Sequence, residues 1–407
     1  MKSNKTRLGV VAAAAATLFV GMAQAAQPGS GEIYMLRGEL SLPDHLMGGM
    51  IVAGDPNGNP PDSPTLRIDP NVAASPWSGV VSINTRYWGV NPSTGVPGVL
   101  SYICSAALVS PTHLVTAAHC IDTGPGNGTG TPIVIGNPNA GQFGVGDVRP
   151  VYNILNAQGS NTFTLGAAVS VAMHPNYNGF GVCPAAVTTP GEFCINDDIA
   201  VITLAAPAPD WAKVYRVDPS FVGMNTAVTH VGFGTTGNGV TGHQAGSASF
   251  FTKRTGMGHI DRPLDEADDE LNFTGPSEVW SSDFDSAARG IDTHCTLYGV
   301  CSPILANNAE TTLGGGDSGG PTFKTLASGE HVLIGNNTFG RRFDASQVSG
   351  TFGTAYGGMV LGSYMDFLQT ATGGQIQVVP EPETYALMLL GLAGMGAVVR
   401  RRRARQA

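Results

Sequence analysis

The sequence has few charged residues, and basic ones are the scarcest. Charged side chains make up 13% of the 407 residues, whereas 42% are hydrophobic, which excludes a disordered chain. Between residues 8 and 380 there are 13 of the 21 Lys and Arg residues but 28 of the 30 acidic residues. Nucleic-acid binding needs a basic surface, so this acidic body argues against nucleic acid as a partner.

The sequence also lacks heptads and repeats of fixed period. Its 56 Gly and 27 Pro residues argue against a helical bundle, because both residue types break helix interiors. From about residue 80 onward, short apolar runs such as 79–83 (GVVSI) and 199–202 (IAVI) alternate with Gly, Pro and Asn clusters. This pattern predicts an all-β fold of many short antiparallel strands, with a short helix near residues 364–368.

The N-terminus predicts a secretory signal peptide over residues 1–25. Lys2, Lys5 and Arg7 precede a short apolar run at 8–20, and residues 23–25 (AQA) form a small-x-small cleavage site. Signal peptidase is therefore an expected partner, and export permits disulfide bonds. The alternative is an N-terminal membrane anchor, for which the apolar run is short.

The C-terminus has three parts in a fixed order. Residues 379–382 (VPEP) are followed by an apolar stretch at 385–399 and by the basic cluster 400–403 (RRRR). The order resembles the PEP-CTERM sorting signal of Gram-negative bacteria. That resemblance implies a hydrophobic sorting helix, transient contact with the inner membrane and cleavage by an exosortase-type enzyme. The protein would then be secreted or held at the cell surface or in the extracellular matrix. An ordinary C-terminal anchor is the alternative.

Three short segments carry side chains suited to nucleophilic catalysis: 114–120 (LVTAAHC), 196–204 (NDDIAVITL) and 314–321 (GGGDSGGP). A serine hydroxyl needs a base to take its proton, and a neutral histidine can do so near pH 7. A carboxylate can orient that histidine. Gly-flanked backbone N–H groups can face a developing oxyanion, where each donor contributes about 3 kcal/mol. Each segment alone is more often structural, but together they supply every role.

With these segments in this order, the chain resembles the trypsin/chymotrypsin family of serine endopeptidases from about residue 68 to 368. The matching motifs are 116–120 (TAAHC), 174–177 (HPNY), 198–200 (DIA), 231–235 (VGFGT), 316–321 (GDSGGP) and 338–340 (TFG). The resemblance implies two six-stranded antiparallel Greek-key barrels packed together. Residues 68–372 would form the protease domain, with barrel one at about 68–215 and barrel two at about 216–372.

The resemblance also implies a role for each matching residue. Ser318 would be the nucleophile, His119 the general base and later general acid, and Asp198 the orienting carboxylate. Asp197 is a rival for the last role, but the family places its Asp directly before the apolar strand residue, which favours Asp198. The backbone N–H groups of Gly316 and Ser318 would form the oxyanion hole. Polypeptides would be the substrates, and no cofactor is needed.

The six cysteines are expected to form disulfides rather than a metal site, because none of them has zinc-ligand spacing. The family resemblance implies a bridge between Cys104 and Cys120. Cys183, Cys194, Cys295 and Cys301 could pair as Cys183–Cys194 and Cys295–Cys301, but four cysteines allow three pairings. The acidic stretch 261–270 is interpreted as a solvated loop, since calcium-loop spacing is absent.

The resemblance places Thr312 at the floor of the primary specificity pocket, six residues before the nucleophile, with Thr338, Phe339 and Gly340 lining it. An uncharged floor does not favour cleavage after Lys or Arg, so we expect a preference for small or apolar side chains. Gly314 stands where the family usually has a pocket-wall cysteine. The pocket walls are therefore the least predictable part of the site.

Family zymogens are activated by a cut that exposes an Ile or Val, whose ammonium pairs with the Asp before the nucleophile, here Asp317. The hypothesis at this point is Ile68, at the right distance from the first strand. Residues 51–54 (IVAG) resemble the usual new N-terminus better but lie farther upstream. Residues 26–67 are accordingly interpreted as a linker or pro-segment, and 373–407 as a linker plus the sorting signal.

The expected function is therefore an exported serine endopeptidase that acts through a Ser-His-Asp triad and an acyl-enzyme. The alternative is a catalytically silent, surface-displayed binding or matrix protein that uses the protease fold. Silent relatives usually lose a triad member, whereas this chain keeps all three.

Overall fold

The computed structural model describes residues 33–35, 38–39, 51–90, 95–123, 130–136, 147–155, 161–183, 194–195, 197–220, 222–264 and 277–380. The predicted signal peptide and the predicted apolar sorting stretch at 385–399 lie outside these ranges. Among the described residues, none of the helices has the length and apolar character needed to cross a membrane.

Short strands dominate the described chain. The strands are β1 Ile33–Met35, β2 Gly38–Glu39, β3 Val80–Val90, β4 Pro97–Ser110, β5 His113–Thr116, β6 Asp147–Leu155, β7 Asn161–Leu165, β8 Ala168–Met173, β9 Ala200–Leu204, β10 Thr226–Gly232, β11 Gly237–Asn238, β12 Gly242–His243, β13 Arg254–Ile260, β14 Arg262–Leu264, β15 Val279–Asp283, β16 Pro321–Thr325, β17 His331–Asn336, β18 Phe339–Arg341 and β19 Ala355–Met359. The described residues also contain two α-helices, α1 Thr293–Tyr298 and α2 Met365–Ala371.

The first half of the body, β3–β9, is one curled antiparallel sheet in the order β7-β6-β3-β4-β5-β9-β8. Its long central pair, β3 and β4, places Ile83 opposite Cys104. β5 and β9 are short, almost fully buried and rich in Val, Ile and Leu, as expected for strands in the interior of a curled sheet. Their apolar side chains fill the interior of the first half.

The second half, β10–β19, contains the sheets β13-β10-β16-β17 and β18-β19-β15-β14 and the small hairpin β11–β12. Trp280, Ile334 and Tyr356 pack in its interior and have almost no exposed surface. The prediction of an antiparallel all-β fold with a short C-terminal helix is thus confirmed, the helix being α2. A continuous apolar cluster, which includes Val201 and Phe233, joins the two halves.

Ordered packing extends beyond both predicted ends of the body, 68 and 372. Ile51, Val52 and Ala53 have no exposed surface. At the other end, the Val217 N–H donates to the Gln377 carbonyl at 2.8 Å, and the Val379 N–H donates to the Val217 carbonyl at 2.8 Å. The segments 51–67 and 373–379 therefore pack as parts of the folded body rather than as linkers.

Three disulfides account for all six cysteines: Cys104–Cys120, Cys183–Cys194 and Cys295–Cys301. The first ties β4 to the turn after β5. The other two close loops with sequence separations of 11 and 6 residues. Of the three pairings that the sequence allowed for these four cysteines, the structure has the one in which each cysteine pairs with its nearest neighbour in the sequence.

Candidate active site

His119 lies in a short 3₁₀ turn, Ala118–Cys120, directly after β5. The Cys104–Cys120 disulfide fixes the residue next to it. The ring of Phe180 packs edge-on against the imidazole, with 5.4 Å between ring centroids. The adjacent disulfide therefore anchors the backbone next to His119, and the Phe180 ring packs against the imidazole. Phe180 is a contact that the sequence analysis did not identify.

Asp198 and Asp197 directly precede β9 but face different histidines. Asp198 Oδ2 lies 2.6 Å from His119 Nδ1, and Asp198 Oδ1 accepts the His119 backbone N–H at 2.8 Å. Asp197 Oδ1 instead lies 2.5 Å from His174 Nδ1. Asp197 has a left-handed φ of 51°, which helps to turn its carboxylate away from that of Asp198. Only Asp198 is placed to orient His119.

Ser318 lies in the glycine-rich turn before β16, pressed against the turn that carries His119. Gly319 has a φ of +73°, and a Cβ there would come within 2.0 Å of Thr116 Oγ1 and 2.6 Å of the Ala117 nitrogen. A side chain at 319 would push the two turns apart. The glycine therefore permits the close approach that the nucleophile needs.

The three predicted residues meet at the junction of the two halves. His119 Nε2 lies 2.7 Å from Ser318 Oγ, in addition to the 2.6 Å contact between His119 Nδ1 and Asp198 Oδ2. All three side chains are almost fully buried. Serine hydroxyl, imidazole and carboxylate form a continuous hydrogen-bonded chain, the arrangement in which an imidazole can accept the hydroxyl proton while a carboxylate stabilises the imidazolium.

Backbone N–H groups at the turn can stabilise an oxyanion. The amides of Gly314, Asp317, Gly319 and Gly320 donate hydrogen bonds within the protein. Those of Gly316 and Ser318 donate to no group within the described ranges. Gly316 has a φ of +105°, and its carbonyl is held by the Ser105 hydroxyl at 2.9 Å. The backbone N–H groups of Gly316 and Ser318 can therefore donate to an acceptor outside the protein, such as an oxyanion.

The predicted specificity residues lie near the turn but differ in what they contact. Thr312 is buried, and its carbonyl accepts the Val52 N–H at 3.1 Å. Thr338 and Phe339 are buried, and the Phe339 ring lies so close to Gly357 that a Cβ there would come within 2.4 Å of it. The side chains of Thr312, Thr338 and Phe339 are therefore all buried and uncharged.

Asp317 is fully buried beside the nucleophile, and Ile51 rather than Ile68 lies against it. Burial raises the pKa of Asp317 to about 6, while hydrogen bonds from the backbone N–H groups of Gly314, Gly234 and Ile51 partly oppose this shift. Ile68 is instead 41% exposed and forms an antiparallel bridge with Arg254. The structure does not bring the predicted Ile68 to Asp317.

The reason lies in the segment between the two isoleucines, which is an ordered insertion. Arg67 forms a buried ion pair with Asp62 at 2.6 Å, and its guanidinium donates to the carbonyls of Ala309 and Glu310. Asn307 accepts the Asp55 N–H at 2.7 Å. These contacts fold the extra residues onto the second half, so Ile51 reaches Asp317 despite its distance along the sequence. The 51–54 (IVAG) motif was the sequence signal that could have identified Ile51, although the sequence analysis favoured Ile68.

Comparison with protein families matches residues 69–255 to the Trypsin family. This part of the chain is therefore similar to a trypsin domain. The match includes His119 and Asp198 and ends before Ser318. The assignment of Ser318 as the candidate nucleophile therefore rests on the 316–321 (GDSGGP) motif and on the 2.7 Å contact between His119 Nε2 and Ser318 Oγ. A trypsin domain implies a chymotrypsin-like double barrel, in agreement with the curled antiparallel sheets of both halves.

Residues 378–403 match the PEP-CTERM protein-sorting motif. This motif indicates export, with sorting to the surface or membrane of a Gram-negative bacterium. Most of the match lies outside the described residues. A search of curated proteins found no match to the chain.

Outside the triad, a cluster of buried acidic groups lies in the second half. Asp261 accepts from His294 Nδ1 at 2.9 Å and from the Asp283 N–H at 2.8 Å. Ligand atoms of Asp261, Asp283 and His294 lie within 4.8 Å of one another, as do those of Asp283, Asp285 and Asp292. Such oxygen-rich groups can coordinate hard divalent cations. Asp261 belongs to the stretch 261–270 that was predicted to be a solvated loop, but its side chain is buried. Residues 265–270 lie outside the described residues.

Burial makes this cluster costly to ionise. It raises the pKa of Asp283 to about 6, of Glu310 to about 8 and of Asp285 to about 10, and neighbouring carboxylates add to each shift. Because carboxyl groups in an unfolded chain titrate near about 4, the folded state holds more protons than the unfolded state above that pH. The contribution of these carboxyls to the free energy of unfolding therefore falls as the pH rises. Burial lowers the pKa of His230, His243 and His294, which opposes this fall below about pH 6.5, so the net decrease is expected between pH 6.5 and 8.

This expectation can be tested by urea unfolding of the full chain carrying Ser318→Ala, which prevents self-digestion. A chelator keeps divalent cations off the carboxylates. Asp285→Asn should reduce the pH slope by up to about 1.4 kcal/mol per pH unit. Asp344→Asn is the matched control, because hydrogen bonds from Ser346 lower the pKa of the exposed Asp344. An unchanged slope in Asp285→Asn would contradict the expectation.

Proposed function

We propose that this protein is an exported serine endopeptidase that hydrolyses polypeptides through Ser318, His119 and Asp198. The observation that carries the proposal is the pair of contacts made by one imidazole: 2.7 Å from Nε2 to Ser318 Oγ and 2.6 Å from Nδ1 to Asp198 Oδ2. The trypsin domain supports the hydrolase class, and the sorting motif supports export.

In the proposed reaction, His119 Nε2 accepts the Ser318 proton as Oγ attacks the carbonyl carbon of a peptide bond. The amides of Gly316 and Ser318 stabilise the oxyanion, and Asp198 stabilises the imidazolium. His119 then gives the proton to the leaving amine, and the new amino terminus departs. Water activated by the same imidazole hydrolyses the acyl-enzyme, which restores Ser318 and releases a carboxylate.

We further propose that a cut between Met50 and Ile51 activates the enzyme. The new ammonium would replace the Ile51 N–H that already contacts Asp317. An ammonium next to a buried carboxylate favours the ionised carboxylate and lowers its pKa from the raised value. The ion pair would fix the turn that carries Gly316 and Ser318, and with it the geometry of the oxyanion donors.

The proposal is tested on an activatable full chain, in which a recognition sequence for a sequence-specific protease replaces the residues just before Ile51. After cleavage, the protein should react with one equivalent of a fluorophosphonate probe and hydrolyse unfolded polypeptide. The same chain with Ser318→Ala is the control for labelling elsewhere. A folded, cut protein that does not react would favour the silent binding protein over the peptidase.

A further inference from the structure

Two short strands that precede Ile51 pair with the two strands that flank Ser318. β1 pairs antiparallel with β18, with Tyr34 opposite Gly340 and Met35 opposite Phe339. β2 pairs antiparallel with β4, with Gly38 opposite Ile103. In the sequence, only two residues separate β1 from β2.

β18 and β4 lie on opposite sides of the nucleophile. The Gly319 N–H donates to the Asn337 carbonyl at 2.7 Å, two residues before β18 begins. On the other side, the Ser105 N–H donates to the Ser318 carbonyl at 2.8 Å, two residues after Ile103 on β4. β1 and β2 therefore occupy strand edges on the two sides of Ser318.

The reacting groups of the triad are buried in the uncut chain. The side chains of His119 and Ser318 have no exposed surface, so the reacting groups are covered in the uncut chain. A polypeptide substrate therefore cannot reach Ser318 in this state.

The pairing uses a strand edge that is otherwise open. In its sheet, β18 has β19 on one side and β1 on the other, so without β1 it would be an edge strand. An edge strand can recognise an extended peptide through main-chain hydrogen bonds, with side-chain pockets setting the preference. β18 contains Phe339 and Gly340, which belong to the predicted specificity pocket. β1 thus occupies the edge that an extended substrate would need.

Resting on the proposed function, we infer that β1 and β2 bind on the two sides of the cleft as built-in substrate-like strands and keep the uncut enzyme inactive. The occupant also indicates the substrate class: an extended polypeptide with apolar residues along β18 and a small residue against β4, as in 33–38 (IYMLRG). The uncharged Thr312 and the buried Phe339 agree with this preference. One cut before Ile51 would then have two effects, because it frees the ammonium for Asp317 and turns the strand into a separable ligand.

The test uses the activated enzyme, cut before Ile51 and separated from its N-terminal fragment, and a synthetic peptide of residues 31–41 (GEIYMLRGELS). The peptide should inhibit competitively: it should raise the KM for a leucine-containing chromogenic peptide, leave kcat unchanged and slow fluorophosphonate labelling. A scrambled peptide of the same composition is the control. The cleavage profile of the activated enzyme on a peptide library should favour apolar residues before the cut.

Strand pairing is tested separately with two N-methylated peptides. Alternate amides of a strand face its neighbour, so only one of the amides of Tyr34 and Met35 can donate to β18. N-methylation of that amide should weaken inhibition about tenfold or more, the cost of one hydrogen bond and its steric fit, whereas methylation of the other should change it less than about threefold.

The outcomes separate this inference from the proposed function. An activated enzyme that hydrolyses peptides but is not inhibited by the peptide would overturn the inference and leave the function intact. Equal losses from the two methylated peptides would also overturn it, because the peptide would not bind as a strand. An enzyme that neither hydrolyses peptides nor reacts with the probe would instead refute the proposed function.

Discussion

Replacing Asp198 by asparagine is expected to lower kcat for peptide hydrolysis by about 10⁴-fold, the loss associated with a neutral amide in this position of the triad. The Asp198 carboxylate accepts the Nδ1 proton of His119, which leaves Nε2 free to accept the Ser318 proton. An asparagine amide can donate to Nδ1, which would place the imidazole proton on Nε2. The base would then hold a proton where it must accept one.

Asp197→Asn is the matched control, because it makes the same chemical change one residue away. Asp197 pairs with His174 Nδ1 at 2.5 Å rather than with His119. Asparagine also tolerates the left-handed φ of 51° at this position. We expect Asp197→Asn to change kcat by less than about tenfold, with its main effect on stability through the altered contact with His174.

The measurement is kcat and KM for both variants of the activated enzyme, with circular dichroism to show that each is folded. Asp198→Asn should keep its KM within a few-fold, because the residue does not contact the substrate. If Asp197→Asn proves the more damaging of the two, the assignment of the orienting carboxylate is wrong.

The triad could be predicted from the sequence because each member lies in a short segment whose backbone is fixed locally. His119 follows β5 and is next to the disulfide-bonded Cys120. Asp198 directly precedes β9. Ser318 lies in a turn where close neighbours leave no room for a side chain at Gly319. The fold class followed from the density of Gly and Pro and from short apolar runs, which favour antiparallel strands. Neither inference needed contacts between distant residues.

Features that depend on distant contacts could not be predicted in the same way. The insertion between Ile51 and Ile68 is ordered by Arg67 and Asp55, whose partners are more than 200 residues away. Counting residues along the chain therefore pointed to Ile68. The buried Asp261 contacts His294 and Ser302, which lie more than 30 residues away. The acidic stretch around Asp261 gives no indication of these partners.

The strands β1 and β2 illustrate the same limit more sharply. They are three and two residues long, too short for a period of two to be recognised. Their pairing is set by the edge of β18 and by the part of β4 around Ile103 that does not pair with β5, and both exist only once the body has folded. The sequence analysis accordingly assigned residues 26–67 to a linker or pro-segment, without a place in the cleft.

Cleavage before Ile51 is expected to raise kcat/KM by at least about 10³-fold, whereas cleavage before Ile68 should give little activity. The two are compared in full chains that carry the same protease recognition sequence directly before either residue, each assayed before and after cleavage. The physical reason is position: Ile51 is fully buried with its nitrogen against Asp317, and Ile68 is 41% exposed beside Arg254. A new ammonium at 68 would remain in solvent.

The sign of the pH dependence gives an independent check on the ion pair. A free α-amino group titrates near about 8, and pairing with a carboxylate raises its pKa, so the ammonium persists at neutral pH and is lost as the pH rises through the raised value. Activity of the cut enzyme should therefore fall reversibly in alkaline solution.

Asp317→Asn should abolish activation by the cut, because an amide cannot balance a buried ammonium, while the uncut chain stays folded. If N-terminal sequencing of active mature protein gave Ile68, or if the cut before Ile51 had no effect, the role of Ile51 would be refuted. The triad assignment would be unaffected, because its contacts do not involve either residue.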